Sequence, residues 1–270
     1  MGIFGNKNAG MGKIHGNPAK YWEYQQRFAR EKLIPLLGEW GIDLEGKRVL
    51  EIGSGYGGII DAFAEAGADC LGVEINANRV QSGRQFATND VPIIIGDFCK
   101  QEILQQIEGK WDIILLPDAL EHLLDKETAM RNLDKIVADD GCIFFDFGPW
   151  YMPFGGHQQV LKSFLRYIPF FHWLPRSIFE RLIFWSERDR MEIFHDIMDI
   201  YDARITLRQF YKLLERHQFR IDKKQLYLIC PSYEIKFGMR EIKLGLFAHI
   251  PLLPEIATIK LYAIVKKSGS

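Results

Sequence analysis

At 270 residues, with 47% hydrophobic and 13% aromatic content, the chain is long enough for one large α/β domain carrying an elaboration. Its 34 basic and 35 acidic residues leave a net charge of -1, so no global field draws nucleic acid or an anionic membrane. The four cysteines (Cys70, Cys99, Cys142, Cys230) show no Cys-x-x-Cys spacing, and no apolar run nears the roughly 18 residues of a membrane span, which excludes a disulfide framework and fits a cytoplasmic protein.

Residues 1–17, rich in Gly, Asn and Lys, read as a disordered tail without the apolar core of a signal peptide. Asn17-Pro18 pairs an N-cap with proline at the first helical position and opens a helix to about Gly38. Strand 48–52 follows and runs into Gly53-Ser54-Gly55-Tyr56-Gly57-Gly58. These glycines let the backbone take positive φ and approach a ligand closely, and the next helix aims its free N–H groups at the same place. Gly53, Gly55 and Gly58 also satisfy the dinucleotide fingerprint, so the loop alone admits two cofactor classes.

Further strands are expected at 70–74, 92–95, 111–116 and 142–147, separated by helices at 59–66, 77–87, 101–107 and 126–137. Short continuous apolar strands alternating with helices predict a doubly wound, mostly parallel sheet with ligands at the carboxyl ends of its strands. The alternation stops at Pro149. Residues 149–204 carry many aromatics and four prolines, and read as a helical lid over the strand ends. Within it, Ser177 and Glu180 are expected to form a capping box, and a second helix is expected around 192–201. The core pattern resumes with a Thr206/Gln209 capping box, a helix at 207–217, and strands at 225–230 and 261–266. The stretch 233–255 has no clear assignment. The division is therefore tail 1–17, core 18–148 with 205–267, and insertion 149–204.

Four features choose between cofactors. Glu51 stands two residues before the first glycine, where an acid can accept hydrogen bonds from a cationic amino group. Glu74 ends the second strand, where a carboxylate can take a ribose diol. Asp97 and Phe98 end the third strand, and Asp118-Ala119-Leu120-Glu121-His122 follows the fourth. In this order the motifs resemble those of class I S-adenosylmethionine-dependent methyltransferases, over Lys47 to about Gly148 and again after Thr206. The resemblance implies a seven-stranded sheet that ends in an antiparallel pair. It implies a cofactor site of Glu51, Gly53, Ser54, Gly55, Tyr56, Gly57, Glu74, Ile75, Asp97, Phe98 and Asp118. S-adenosylmethionine would be the cofactor and S-adenosylhomocysteine the product.

Two histidines stand near the methyl-transfer position. His157, in a Gly-, Pro- and aromatic-rich segment, is the expected general base, with His122 and Glu121 lining the site. The run Asp118-x-x-Glu121-His122 is similar to one that helps bind a divalent ion in ubiquinone-biosynthesis and small-RNA methyltransferases. Glu-His there is equally compatible with a metal-free site, and no metal is assigned. The expected partner is a small-molecule hydroxyl acceptor, apolar or ring-bearing, and no nucleic acid. Peripheral membrane contact through the insertion's aromatic face stays open, as do nitrogen, carbon, lipid-linked or saccharide acceptors and a non-catalytic cofactor-binding subunit.

Overall fold

The computed structural model describes residues 17–269, so the expected tail lies outside the described residues except for Asn17. Asn17 caps helix α1 (Pro18–Phe28), its side chain accepting from the Lys20 N–H. The helix does not run on regularly. Ala29–Leu33 forms a π-helical turn before α2 (Ile34–Glu39), in which Pro35 occupies the first turn. Proline has no N–H and its ring presses on the carbonyl four residues back, and the wider turn relieves both problems.

Strand β1 (Arg48–Ile52) leads through the glycine loop to α3 (Gly58–Glu65). Then come β2 (Asp69–Glu74), α4 (Ala77–Gly83), β3 (Ile93–Ile95), α5 (Gln101–Leu104), β4 (Trp111–Pro117), α6 (Lys126–Ile136) and β5 (Val137–Phe147). After the insertion follow α9 (Leu207–Arg216), β6 (Phe219–Ile229), α10 (Ser232–Phe237), β7 (Ile242–Lys243), α11 (Leu253–Ala257) and β8 (Lys260–Lys267). The strand order is β3-β2-β1-β4-β5-β8-β6-β7, with β1 to β5 parallel and the last three antiparallel. The sheet thus has eight strands where seven are expected. The added one is the two-residue β7 on the outer edge of β6, in the stretch left unassigned.

Alternate side chains leave the sheet on opposite faces. Leu50, Ile52, Ile114, Leu116, Phe145 and Phe147 enter one core with residues of α6 and α9. Val49, Ile113, Leu115, Phe144 and Tyr262 enter the other with residues of α1, α2 and α3. All four cysteines are free. No described helix is long and apolar enough to cross a membrane.

The insertion between β5 and α9 has its own apolar cluster, in which Leu161, Leu165, Phe171, Phe179, Ile183 and Ile197 are buried. Its helices are α7 (Arg176–Glu187) and α8 (Met191–Ala203). The Ser177/Glu180 capping box is absent. Pro175 is the N-cap and its carbonyl accepts from Ile178 and Phe179, so the helix starts before Ser177 can cap it. The Thr206/Gln209 box is present in full. Buried Glu187 anchors the insertion by accepting from the Lys162 N–H at 2.9 Å and pairing with Arg190. The two ends are tied where the Trp150 N–H donates to the Ile205 carbonyl at 2.7 Å.

Phe179 is fully buried in that separate cluster. Phe179→Ala is expected to cost about 3–5 kcal/mol within the insertion. Limited proteolysis should then cut residues 149–204 faster while the sheet core stays resistant. Equal resistance of the two regions would contradict the insertion's separate packing.

Candidate active site

The glycine loop sits where the chain reverses between β1 and its two neighbours, the crevice in which open α/β sheets bind ligands. Gly53, Gly55 and Gly57 have φ of 79°, 60° and 85°, which only glycine adopts without strain. Three elements hold the loop. From β2, the Val73 carbonyl accepts from the Gly53 and Ser54 N–H groups. At the end of β2, one Glu74 oxygen accepts from the Gly55 N–H at 2.7 Å and the other from the Asn76 N–H at 2.9 Å. From α1, the Gln25 amide donates to the Ser54 carbonyl and accepts from the Gly58 N–H, at 3.2 and 3.3 Å.

Glu51 lies beneath the loop, completely buried, and neither of its oxygens makes a well-aligned hydrogen bond. Burial pushes its carboxyl up to about 8, the Glu74 charge adds to that, and the Ile60 N–H draws the other way. An unsatisfied buried acid is costly unless a partner arrives, and this one fits a cationic ligand group. A cavity of about 80 Å³ opens beside the loop, lined by Tyr21, Gln25, Gly53, Gly55, Arg79 and Asp118. The residues present therefore suit a cofactor bearing an amino group.

The other expected contacts are placed less uniformly. Ser54 is buried, with its hydroxyl unpartnered. Tyr56 presents its ring to Tyr21 at 5.4 Å, and its carbonyl presses on Gly83 of α4. Asp97 accepts from the Cys99 N–H at 2.8 Å and so braces its own turn. Ile75 points to solvent, whereas Phe98 is buried in the core on the α6 side of the sheet. Asp118 has φ of 50°, an uncommon conformation for a non-glycine residue, and lines the cavity.

Sequence reading missed two groups. Gln25, Tyr21 and Tyr24 of α1 form one wall of the cavity, although Asn17-Pro18 announced only that a helix begins. The second group is Lys260, at the start of β8. Its ammonium pairs with Asp118, lies 2.8 Å from Asp146 and stands 3.9 Å from Glu121. Burial brings Lys260 down to about 7 and raises Asp146 well above the carboxylate range. The signal available for Asp146 was an acid inside the apolar strand Cys142-Ile-Phe-Phe-Asp-Phe147.

Beyond the ends of β4 and β5, Glu121, His122 and His157 converge, their ligand-capable atoms all within 4.8 Å of one another. The rings of His122 and His157 meet edge to face at 5.2 Å. Glu121 accepts from the Gly148 N–H at 3.2 Å, and burial raises it to about 7 despite that bond. His157, with φ of 52°, is brought down to about 4 by burial. His122 remains exposed to solvent as a residue. Its ring is lowered in the same direction by desolvation, then by His157. Both imidazoles are neutral at pH 7. His172, by contrast, is a buried strut whose Nε2 lies 2.6 Å from the Trp150 carbonyl.

Fold and site together define an α/β protein built to hold a nucleoside-type cofactor at the switch point of its sheet. The sequence profile of the methyltransferase domain family matches residues 21–189, more than half of the chain, and the chain belongs to that class I, S-adenosylmethionine-dependent family. Among curated relatives, the ubiquinone biosynthesis O-methyltransferase of Bordetella avium is 28% identical over 150 residues, 51% of this chain and 59% of that protein. That of Acinetobacter baumannii is 28% identical over 141 residues, 49% and 59% of the two chains. The chain thus matches these relatives over less than two thirds of their length. Among solved structures, the plantazolicin methyltransferase BamL, crystallised with S-adenosylhomocysteine, aligns with a TM-score of 0.57 at 14% identity, covering 95% of this chain and 90% of that one. The magnesium protoporphyrin IX methyltransferase of Synechocystis aligns at 0.51 and 14% identity, over 95% and 92%. At such identities the likeness is one of fold.

Two measurements probe the cofactor half. A Cβ on Gly83 would lie 1.9 Å from the Tyr56 carbonyl oxygen, so Gly83→Ala must displace the loop. Calorimetric titration should show S-adenosylhomocysteine affinity reduced by about tenfold or more, equivalent to at least about 1.4 kcal/mol, with the circular dichroism spectrum unchanged. Undiminished affinity would refute the loop's placement. Glu51 is raised in the folded protein, so its contribution is fully present below about pH 4.5 and is lost as pH climbs through about 8. The unliganded Glu51→Gln variant should therefore gain stability relative to wild type across that window, by up to about 1.4 kcal/mol per pH unit. Denaturant melts giving a pH-independent difference would contradict the buried, unpaired state of Glu51.

Proposed function

We propose that the protein transfers a methyl group from S-adenosylmethionine to a hydroxyl of a small, apolar or ring-bearing molecule. The observation that carries this reading is the meeting of Glu121 and His122, which follow β4, with His157 of the aromatic-rich insertion. The cofactor supplies a methyl on a positively charged sulfur, a strong electrophile. The protein's work is to align an acceptor and manage one proton.

Each residue has a stated task. Glu51 accepts the cofactor's ammonium, and that charge relieves an otherwise unpaired buried acid. Glu74 keeps a free lone pair on each oxygen beyond its two backbone bonds and so can still accept from ribose hydroxyls. Asp118 flanks the methionine portion and is held by Lys260. His157 takes the acceptor's proton, with His122 and Glu121 shaping the space around it. Since burial leaves His157 a weak base, the reading favours an acceptor already acidic, such as a phenol or enol, over a simple alcohol. The ubiquinone-pathway relatives are O-methyltransferases by name, which supports oxygen as the acceptor atom.

One observation favours a second reading. Glu121, His122 and His157 bring a carboxyl group and two neutral imidazoles together, a donor set that suits a divalent cation once Glu121 gives up its proton. Such an ion would polarise the acceptor oxygen, and His157 would then be a ligand instead of a base.

Turnover of radiolabelled cofactor with a panel of hydroxylated aromatic acceptors separates the two. With His157 as base, His157→Ala lowers kcat by about 10²–10⁴, activity survives exhaustive EDTA treatment, and S-adenosylhomocysteine still binds. With a metal, EDTA abolishes turnover and added Mg²⁺ or Mn²⁺ restores it. Normal turnover by His157→Ala would remove His157 from both schemes.

A further inference from the structure

The excursion between β7 and β8 is an apolar tip set beside a cationic groove. It contains a short 3-10 turn (Gly245–His249), Leu252 in the left-handed region with φ of 65°, and α11. Leu246, Phe247, Ile250 and Leu252 are 87%, 63%, 47% and 76% exposed. Single exposed leucines are ordinary, but four large apolar side chains on one short excursion form a patch that packing does not explain. Behind the tip runs a groove of about 690 Å³ between the excursion, α9 and β6. Arg208, Lys212 and Lys224 line it together with Ile250 and Leu252.

None of these three cations forms an ion pair among the described residues, and Lys224 lies over the Tyr211 ring at 5.1 Å. The groove's two acids are Glu215 and Glu255, and Glu255 is engaged by the Leu207 and Arg208 N–H groups at 3.1 and 2.8 Å. With three cations against two acids the groove lining is net positive, on a chain whose net charge is -1. An apolar patch alone would suit a second copy of the chain. The unpaired cations beside it decide for a surface that carries phosphates.

We propose that this face docks on an anionic phospholipid bilayer. The four apolar side chains enter the boundary between headgroups and acyl chains, and Arg208, Lys212 and Lys224 meet lipid phosphates. The topology gives the contact a consequence. β8 begins at Lys260 and pairs Leu261 with Phe147 of β5, so the excursion ends beside the carboxyl end of β5, from which Gly148 and the segment bearing His157 continue. Docking there places the mouth of the site beside the membrane. The proposal is independent of the acceptor's identity.

The test is co-sedimentation of the full chain with vesicles of phosphatidylcholine alone or mixed equally with phosphatidylglycerol. Binding is expected to the mixed vesicles only, and it should weaken as salt is raised. Leu246→Ser/Leu252→Ser and Arg208→Gln/Lys212→Gln/Lys224→Gln should each lower the partition coefficient by about tenfold or more, with S-adenosylhomocysteine affinity unchanged. Should a combined variant fail to fold, Leu246→Ser alone, at the most exposed position, gives the same comparison. No binding to mixed vesicles overturns the proposal. So does normal binding by the tip variants with loss in Phe184→Ser/Trp185→Ser, two exposed aromatics of α7, which would move the contact to the insertion. A concentration-dependent dimer in sedimentation velocity that Leu246→Ser/Leu252→Ser abolishes would also overturn it, making this face an interface between copies.

Discussion

The backbone of the glycine loop must be held at positive φ, with its N–H groups and carbonyls accounted for, before any cofactor chemistry is possible. Three separate elements meet that requirement: the Val73 carbonyl within the sheet, the Glu74 carboxylate at the end of β2, and the Gln25 amide on α1. Removing any one leaves a buried backbone group without a partner, which costs about 1–3 kcal/mol. The N-terminal helix is thus part of the site. A Cβ at Gly58 would lie 2.5 Å from the Trp22 carbonyl, which shows how closely α1 sits on the loop.

Around that loop the protein keeps ionisable groups out of water. Glu51 is unpaired, and Lys260 is surrounded by Asp118, Asp146 and Glu121. Burying charge works against folding unless the charges are matched. Both places lie at the carboxyl ends of the central strands, where ligand charge is expected. The Lys260 ammonium also links Asp118, on the cavity beside the glycine loop, to Glu121, in the cluster with the two histidines, so cavity and cluster share one electrostatic joint.

Much of the core was legible because short apolar runs alternating with helices mark the buried strands of a parallel sheet. β1 has its expected limits, and those of β2, β3 and β4 differ from expectation by one residue at most. The errors have local causes. β6 begins at Phe219, earlier than expected, because Arg220, Asp222, Lys223 and Lys224 hide its first half in a polar guise and a bulge follows Ile221. β7 is too short to carry a period. The π-helical turn answers to Pro35, a single residue inside an otherwise regular pattern. Ser177 and Glu180 have capping spacing, yet Pro175 begins the helix first.

The residues by themselves determined the alternation of strands and helices, the glycine loop, and the ordered acids Glu51, Glu74, Asp97 and Asp118. Each of these is a local pattern in which neighbours in sequence are neighbours in space. Only the tertiary structure decided that Gln25 braces the loop from 29 residues before Ser54, and that Lys260 reaches Asp118 across 142 positions. It alone brought His157 against His122 and left Leu246 and Leu252 of the β7–β8 excursion facing outward. Those relations depend on which strand lies beside which, and strand order is set by the packing of both faces of the whole sheet, a property that no single segment carries.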